Sequence, residues 1–196
     1  MNFSYCAAPT REASTRVPKL VRWTKLDSGW VKLNTDGSSL GNPSIAGGGG
    51  LIRDNNGRWI VGFSHKIGVT TCFLTEMWAL RDGLSLCVSR NCQAVEVEID
   101  AKAIVDALNN PNYSNLFVSS IMDDCRTLLS QISWTCFRHC YSKMNRCADA
   151  LARQGGCQAA DFVIFESPPV DISSSVDFDL SGMYLSRLCP TPLLSF

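Results

Sequence analysis

The spacing of apolar positions changes from two residues to three or four about one third of the way along the chain. Val31 and Leu33 alternate with Lys32 and Asn34, and a second alternating run extends over 58–66. A period of two predicts strands. Between these runs, residues 49–54 predict a further strand, and Asn-Asn-Gly at 55–57 is typical of a hairpin turn. The first ordered part is therefore predicted to be an antiparallel meander of three strands.

From residue 71 to 88 the apolar spacing becomes helical, with Phe73, Met77, Leu80 and Leu84 on one face. The later segments, in order, predict a strand over 95–100, helices over 101–109 and 116–129, a strand over 132–140, and a helix over 145–154 that ends at two glycines. This order predicts an α/β fold with one five-stranded mixed sheet, in which three antiparallel strands are followed by parallel crossovers, and with helices on both faces.

Composition divides the chain into three parts. Residues 1–28 show no sustained periodicity and are interpreted as a flexible leader or linker, and residues 29–157 as the folded domain. Residues 158–196, rich in Ser, Pro and Asp, are interpreted as a mostly irregular C-terminal tail, which leaves open whether one segment docks on the domain.

Charge and cysteine content narrow the class of protein. Lys and Arg number 18, as do Asp and Glu, so the net charge of zero excludes a protein that coats nucleic acid by charge alone. The ten cysteines include no CxxC pair, and the first fifteen residues lack an apolar core, which favours free thiols in a reducing compartment.

We expect an intracellular protein of the nucleus or cytoplasm, with organelle targeting left open. No membrane span is predicted, and a monomer is the default.

Four carboxylates lie in four separate local settings. Asp36 and Asp100 end predicted strands, whereas Glu76 and Asp149 lie near the starts of helices. Each also has an ordinary structural explanation. Asp36 could be a turn residue, Asp100 a helix cap, Glu76 a residue at the rim of its helix, and Asp149 an acid favoured in a first helical turn. Taken together, they are the oxygen ligands from separate elements that a two-metal phosphodiester hydrolase needs.

The segments around these acids carry a recognisable likeness. The chain from about Trp23 to Gln154 resembles type 1 ribonuclease H domains, and most of all the reverse-transcriptase-like versions of plant genomes that are linked to retroelements. The likeness is carried by four motifs in the family's order: Thr-Asp-Gly-Ser-Ser-Leu-Gly-Asn-Pro at 35–43, Thr-Glu-Met-Trp-Ala-Leu at 75–80, Glu-Ile-Asp at 98–100, and Asn-Arg-Cys-Ala-Asp-Ala-Leu-Ala at 145–152.

The resemblance implies endonucleolytic hydrolysis of the RNA strand of RNA–DNA hybrids with two Mg²⁺ ions, for which Mn²⁺ is a possible substitute. Asp36 would bridge both ions, Asp149 would complete the ion that activates the attacking water, and Glu76 and Asp100 would hold the ion on the leaving-group side. His139 would assist proton transfer and product release. The alternative for His139 is a histidine at a strand edge with a satisfied ring.

The resemblance also implies contacts with substrate. These would come from Gly37, Ser38, Asn42, Thr71, Cys72 and Asn145. The glycines at 47–50 have two interpretations: close approach of the backbone to nucleic acid, or turn chemistry alone.

The chain departs from the family pattern at several positions. Ala101 replaces a usual serine, Lys143-Met144 replaces a usual Arg-Glu, and between Ala103 and Trp134 the only basic residue is Arg126, so the family's basic handle is missing. These departures favour the alternative function, a retroelement-derived nucleic-acid-binding domain with little or no turnover. An exonuclease of the wider superfamily is a third hypothesis, against which the Asn-Pro and Gly pattern of the first motif argues.

Overall fold

A computed structural model describes residues 16–39, 41, 43–110, 113 and 118–190 of the chain. Its strands are β1 (Arg16–Val21), β2 (Val31–Ser39), β3 (Ser44–Arg53), β4 (Trp59–Thr70), β5 (Ala94–Ile99), β6 (Trp134–His139), β7 (Phe162–Phe165) and β8 (Leu185–Pro190). Its helices are α1 (Cys72–Ser89), α2 (Lys102–Asn109), α3 (Ser119–Leu129), α4 (Arg146–Cys157) and α5 (Val170–Leu180). Among the described helices, none has the length and hydropathy that crossing a membrane requires.

The main sheet has the strand order β6-β5-β2-β3-β4-β7. β2, β3 and β4 are antiparallel neighbours, and β5 and β6 are added in parallel to β2, which confirms the predicted α/β topology. The strand count differs from the predicted five, because β7 pairs with β4 as a sixth strand. The rings of Phe63 and Phe162 stack 5.6 Å apart across this pair. β7 was not predicted because its four residues, Phe-Val-Ile-Phe, lack the alternation of apolar and polar residues that indicated the other strands.

The predicted terminal segments are also more ordered than expected. β1, within the predicted leader, pairs antiparallel with β8, within the predicted tail, as a separate two-stranded sheet. Because β7, α5 and β8 all lie after residue 158, the expectation of a mostly irregular tail does not hold for residues 158–190. Residues 1–15 and 191–196 lie outside the described part of the chain.

Helices cover both faces of the sheet, and glycines let one of them approach closely. A Cβ on Gly48 would lie 3.3 Å from the Cβ of Ala79 in α1, whereas a Cβ on Gly49 would overlap the backbone of Ala152 in α4. Successive strand residues face opposite sides, so α1 and α4 lie on opposite faces. The buried glycines at 47–49 therefore serve helix packing, and Gly50 makes room for the neighbouring strands at Asn34 and Phe63; both roles differ from the two predicted interpretations.

The same packing explains why α4 is longer than predicted. We expected the helix to end at Gly155 and Gly156, but it continues to Cys157. A Cβ on Gly155 would lie 2.5 Å from the backbone oxygen of His65 on β4. This glycine is thus required by the contact between helix and sheet, and it does not mark a helix end.

A buried network of charged and polar groups lies on the α4 face of the sheet. Lys32 Nζ lies 2.7 Å from Glu98 Oε1, and Asn34 Nδ2 donates to Glu98 Oε2 at 3.1 Å. Arg53 donates to Asn34 Oδ1 at 2.7 Å and to Asp179 Oδ2 of α5 at 2.8 Å. Lys32 and Arg53 are at most 1% exposed, so these contacts replace the water that both cations lose on folding. The network joins α5 to the strands that carry the candidate site.

We expect Asp179→Asn to lower the free energy of unfolding by about 2 kcal/mol, because a buried cation loses its charged partner while the shape of the site is kept. Urea denaturation measures this loss. The matched control is Asp177→Asn, an exposed position on the same helix, which should change stability by less than about 0.5 kcal/mol. Equal stability of both variants would show that α5 contributes little to the domain.

Candidate active site

Two of the four carboxylates lie where the parallel pairing of two adjacent strands ends. Thr35 of β2 and Ile99 of β5 are the last residues paired between these strands, so Asp36 and Asp100 follow at neighbouring positions. β2 itself continues to Ser39, so Asp36 lies within this strand and not at its predicted end. Because β2 and β5 run in the same direction, the two acids lie side by side. Asp36 is 6% exposed, whereas Asp100 is partly exposed at the rim.

Glu76 reaches the same point from the start of α1. The helix begins at Cys72, after Thr71, whose Oγ1 accepts a hydrogen bond from the Leu74 N–H at 3.3 Å. Gly37 donates its N–H to Glu76 Oε2 at 3.1 Å. A Cβ on Gly37 would lie 2.7 Å from the backbone N of Glu76, so a glycine is needed where α1 meets β2.

Asp149 comes from the opposite face, in the first turn of α4. Its carboxylate lies close enough to raise the pKa of Asp36, but it pairs with Arg153, one turn later, at 2.8 Å. The sequence analysis missed Arg153, although an acid and a base four residues apart on a helix are a recognised signal for such a pair.

Asp36, Glu76 and Asp100 form one compact acidic cluster. Each offers a carboxylate oxygen, and the three oxygens lie within 4.8 Å of one another. Burial, with the charges of Glu76 and Asp100 next, raises the pKa of Asp36 to about 10. Burial, followed by the charge of Asp100, raises the pKa of Glu76 to about 8. The hydrogen bond from Gly37 acts in the opposite direction and lowers this pKa. Burial also raises the pKa of Asp149, which Arg153 opposes. The cluster is therefore costly to ionise without a cation.

The donor set of this cluster fits a divalent cation. Mg²⁺ is held by one or two carboxylates together with water or phosphate oxygens, and these ligands are hard oxygens. Among the ion pairs of the described residues, none joins a Lys or Arg to Asp36, Glu76 or Asp100. The protein thus provides a buried negative site that its own cations leave uncompensated.

We expect the metal-free protein to lose thermal stability as pH rises from about 5 to about 8. The unfolded chain releases the protons of Asp36 and Glu76 near their ordinary pKa values, whereas the folded chain retains them to higher pH, so folding becomes less favourable as pH rises. Mg²⁺ should raise the melting temperature more at about pH 8 than at about pH 5. Calorimetry in EDTA and in Mg²⁺ measures both effects, and a melting temperature in EDTA that rises over this range would contradict the expectation.

His139 lies at the end of β6 and next to Asp100. Its Nε2 lies 3.0 Å from the backbone oxygen of Asp100. A carbonyl only accepts, so Nε2 carries the proton in this contact and Nδ1 is the acceptor nitrogen of the neutral ring. The residue as a whole is exposed.

The residues predicted to contact substrate have different positions. Gly37 and Ser38 are partly exposed beside the acidic cluster, and Thr71 is the half-buried cap of α1. Cys72 is exposed, and its Sγ lies 3.6 Å from the backbone oxygen of Gly41. Asn42 lies outside the described residues. These four described residues therefore border the cluster, and their contact with substrate stays a prediction.

Asn145 differs from its predicted role. It is 1% exposed, and its Nδ2 donates to the backbone oxygen of Thr35 at 2.8 Å, one residue before Asp36. Its own backbone oxygen accepts from the Asp149 N–H at 2.9 Å. A residue buried between β2 and α4 is not in a position to contact substrate. Asn145 instead fixes the start of α4, and with it Asp149, against the strand of Asp36.

Comparison with known proteins agrees with this fold. Residues 34–155 match the family described as reverse transcriptase-like. A protein of Arabidopsis thaliana that is described as a candidate ribonuclease H protein is 34% identical over 167 residues, which cover 85% of this chain and 27% of that protein. The chain thus spans far less than the full length of this relative.

Two solved structures share the architecture. The N-terminal ribonuclease H domain of the Mycobacterium tuberculosis protein Rv2228c has a TM-score of 0.62 at 23% identity, over 65% of this chain and 94% of that one. LC11 ribonuclease H1 from a compost metagenome, solved with an RNA/DNA hybrid, has a TM-score of 0.62 at 24% identity, over 66% and 98%. At 23% and 24% identity, the likeness to these two structures establishes the fold of the chain. The chain therefore belongs to the reverse transcriptase-like family and contains a ribonuclease H-like domain.

Proposed function

We propose that the protein hydrolyses the RNA strand of RNA–DNA hybrids at internal positions, with divalent cations held by its acidic cluster. The observation that carries this proposal is the convergence of Asp36, Glu76 and Asp100 at one sheet edge, with their oxygens within 4.8 Å of one another. A buried arrangement of like charges is costly for folding, and it is retained most readily where a cation binds.

The chain's own residues suit this chemistry. Bound divalent cations would supply Lewis acidity and a more acidic water at the scissile phosphate. Glu76, Asp100 and Asp149 each lie close enough to raise the pKa of Asp36, so Asp36 is in a position to share a cation with any of them. His139 keeps its Nε2 proton on the Asp100 carbonyl, and its Nδ1 would accept a proton at the reacting phosphate and return it to the product.

A nucleic-acid-binding domain with little turnover is the second candidate, and one observation favours it. Asp149 pairs with Arg153 at 2.8 Å, which occupies the carboxylate that would complete the second cation site. Full activity requires that this pair opens or shares the carboxylate. If the pair persists, the domain would bind hybrid and cut it slowly.

The deciding experiment is incubation of an end-labelled RNA–DNA hybrid with the protein in Mg²⁺, in Mn²⁺ and in EDTA. We expect internal RNA cuts that require a divalent cation. Duplex DNA and duplex RNA of the same sequence serve as controls and should stay intact. Shortening from the strand ends would instead indicate an exonuclease.

The hydrolase proposal fails if no cation supports cutting at high protein concentration and low salt. Hybrid binding that persists under those conditions would favour the second candidate. An Arg153→Gln variant separates the two explanations, because it removes the competing cation from Asp149. Increased cutting by this variant would show that the ion pair limits turnover.

A further inference from the structure

Three segments of this neutral chain contain no carboxylate, and the structure brings them together. They are residues 16–26, 134–146 and 180–190. β1 and β8 come from the first and third segments, and β6 with the loop after it comes from the second. All three segments line one surface groove beside β6, which includes Lys19, His139 and Tyr184. One carboxylate, Glu98, also lines the groove, but it pairs with the buried Lys32, so the unpaired charges on this surface are positive.

Like charges face each other within the β1–β8 pair. Lys19 and Arg187 are directly opposite in the register. Both also lie over the ring of Tyr141, with Lys19 Nζ 5.4 Å and Arg187 Cζ 4.2 Å from its centroid. Cations directly opposite on paired strands repel, whereas the face of the Tyr141 ring attracts both, and a nearby anion would relieve the repulsion further. In the described part of the chain, neither cation forms an ion pair with a carboxylate.

Two more cations extend the same surface. Arg22 lies 4.8 Å from the centroid of the exposed Tyr184 ring. Lys143 Nζ donates to the backbone oxygen of Ser186 at 2.6 Å, which ties the loop before α4 to β8. Arg138 lies nearby but differs, because Glu96 pairs with it at 2.6 Å and neutralises its charge. We call Lys19, Arg22, Tyr141, Lys143 and Arg187 the basic flank.

The basic flank is continuous with the candidate active site. The ring of Tyr141 meets the ring of His139 edge to face, 5.8 Å apart. His139 in turn contacts the backbone of Asp100 through Nε2 at 3.0 Å. One aromatic ring and one imidazole therefore separate the paired cations from the acidic cluster. A polyanion with one phosphate at the cluster would pass its next phosphates over or beside this flank.

We propose that the basic flank binds the sugar–phosphate backbone of the RNA–DNA hybrid. This rests on the proposed function, since it takes the position of the scissile phosphate from the acidic cluster. It supplies the positive charge that the segment from Ala103 to Trp134, with Arg126 alone, does not provide. Lys19, Arg22 and Arg187 lie outside residues 34–155, which match the family, so this grip is an addition of the terminal segments.

Hybrid binding at several salt concentrations tests the proposal. Fluorescence anisotropy in Mg²⁺ is measured on an Asp36→Asn background, so that binding is read without cutting. The test variant is Lys19→Gln with Arg187→Gln, which keeps the aliphatic stems. Each lost phosphate contact reduces the magnitude of the slope of log association constant against log salt concentration by about one. We therefore expect the double variant to reduce this magnitude by about two and to bind at least roughly tenfold more weakly at low salt.

The control removes an unpaired charge elsewhere. Arg58 is exposed at the end of the sheet opposite the acidic cluster and has no ion pair among the described residues, so Arg58→Gln should leave the slope unchanged. An unchanged slope in the flank variant would overturn the proposal, as would equal decreases in both variants. Absence of hybrid binding by the parent at low salt would also overturn it.

Two further measurements keep these results interpretable. Circular dichroism must show that each variant is folded, and if the double variant is not, Arg22→Gln alone should lower the slope by about one. Cleavage by the protein with Asp36 intact is measured in parallel. If the protein does not cleave hybrid but the flank variant still lowers the salt slope, the hydrolase proposal is rejected and the basic flank remains a binding surface. If the protein cleaves hybrid but the flank variant leaves the slope unchanged, only the basic-flank proposal is rejected.

Discussion

Replacing Asp36 by asparagine should reduce hybrid cleavage by about a thousandfold and, at the same time, stabilise the metal-free protein. The loss follows because Asp36 is the carboxylate next to all three others, and several kcal/mol of cation-dependent stabilisation correspond to three powers of ten in rate. The stability gain follows because asparagine is neutral in both states, whereas Asp36 is ionised in the unfolded chain and must take up a proton when the metal-free protein folds at neutral pH. Initial cleavage rates in Mg²⁺ and melting temperatures in EDTA measure the two effects.

The opposite signs of these two effects are what make the experiment informative. A variant that merely damages the fold would lose activity and stability together. Asp27→Asn, which changes an exposed carboxylate before β2, is the matched control and should alter neither quantity. Retention of cleavage by Asp36→Asn would show that the acidic cluster is not the centre of the reaction.

Gly49→Ala should destabilise the protein by more than about 4 kcal/mol. The added Cβ would overlap the backbone of Ala152 and Leu151, and backbone of a packed helix has no alternative rotamer. Relief requires α4 to move away from β3, which also displaces Asp149. Urea denaturation measures the stability loss, and cleavage assays show whether it extends to the site.

Gly156→Ala is the matched control for this substitution. Gly156 lies in α4, and the nearest atom to its added Cβ is the Gly47 N at 3.6 Å, an ordinary contact. Alanine in a helix interior is favoured over glycine by about 0.5–1 kcal/mol, so this variant should be slightly more stable than the parent. A similar stability of both alanine variants would mean that α4 adapts easily and that the glycine run is not required for packing.

Local sequence was sufficient to predict the settings of three of the four acids. Asp100 follows β5, and Glu76 and Asp149 lie near the starts of α1 and α4. Asp36 was expected at the end of its strand, but β2 continues past it to Ser39. The parallel pairing of β2 with β5 ends just before Asp36 and Asp100, so topology brings these two acids together. The pairing of Asp149 with Arg153 depends on side-chain conformation, which spacing permits but does not fix.

The buried charges could not be predicted from the same pattern. Lys32 alternates with apolar residues, and alternation normally indicates a face exposed to water. Here that face is covered, and Lys32 is fully buried against Glu98. The covering elements include α5, whose Asp179 lies 126 positions after its partner Arg53. No local window contains both, so only the tertiary structure shows that the two charges need each other.

The glycine run shows a different limit. Glycine in a sequence indicates missing volume or unusual dihedral angles, and the pattern alone does not say which is needed. Turns and ligand approach were the interpretations considered, whereas Gly49 in fact faces Ala152 of a helix that begins some hundred positions later. The recurrence of glycine at 47 and 49, on one face of a strand, is the signal that favours a packed neighbour.

The pairing of β1 with β8 has a consequence for the order in which the molecule folds. Its register joins Arg16 to Pro190, so this contact closes a loop of nearly the whole described chain. Closing a longer loop costs more entropy, and contacts between distant positions tend to form late. During synthesis β8 also leaves the ribosome after the other described elements. We therefore expect the acidic cluster, built from residues 36–149, to be complete before the basic flank closes beside it.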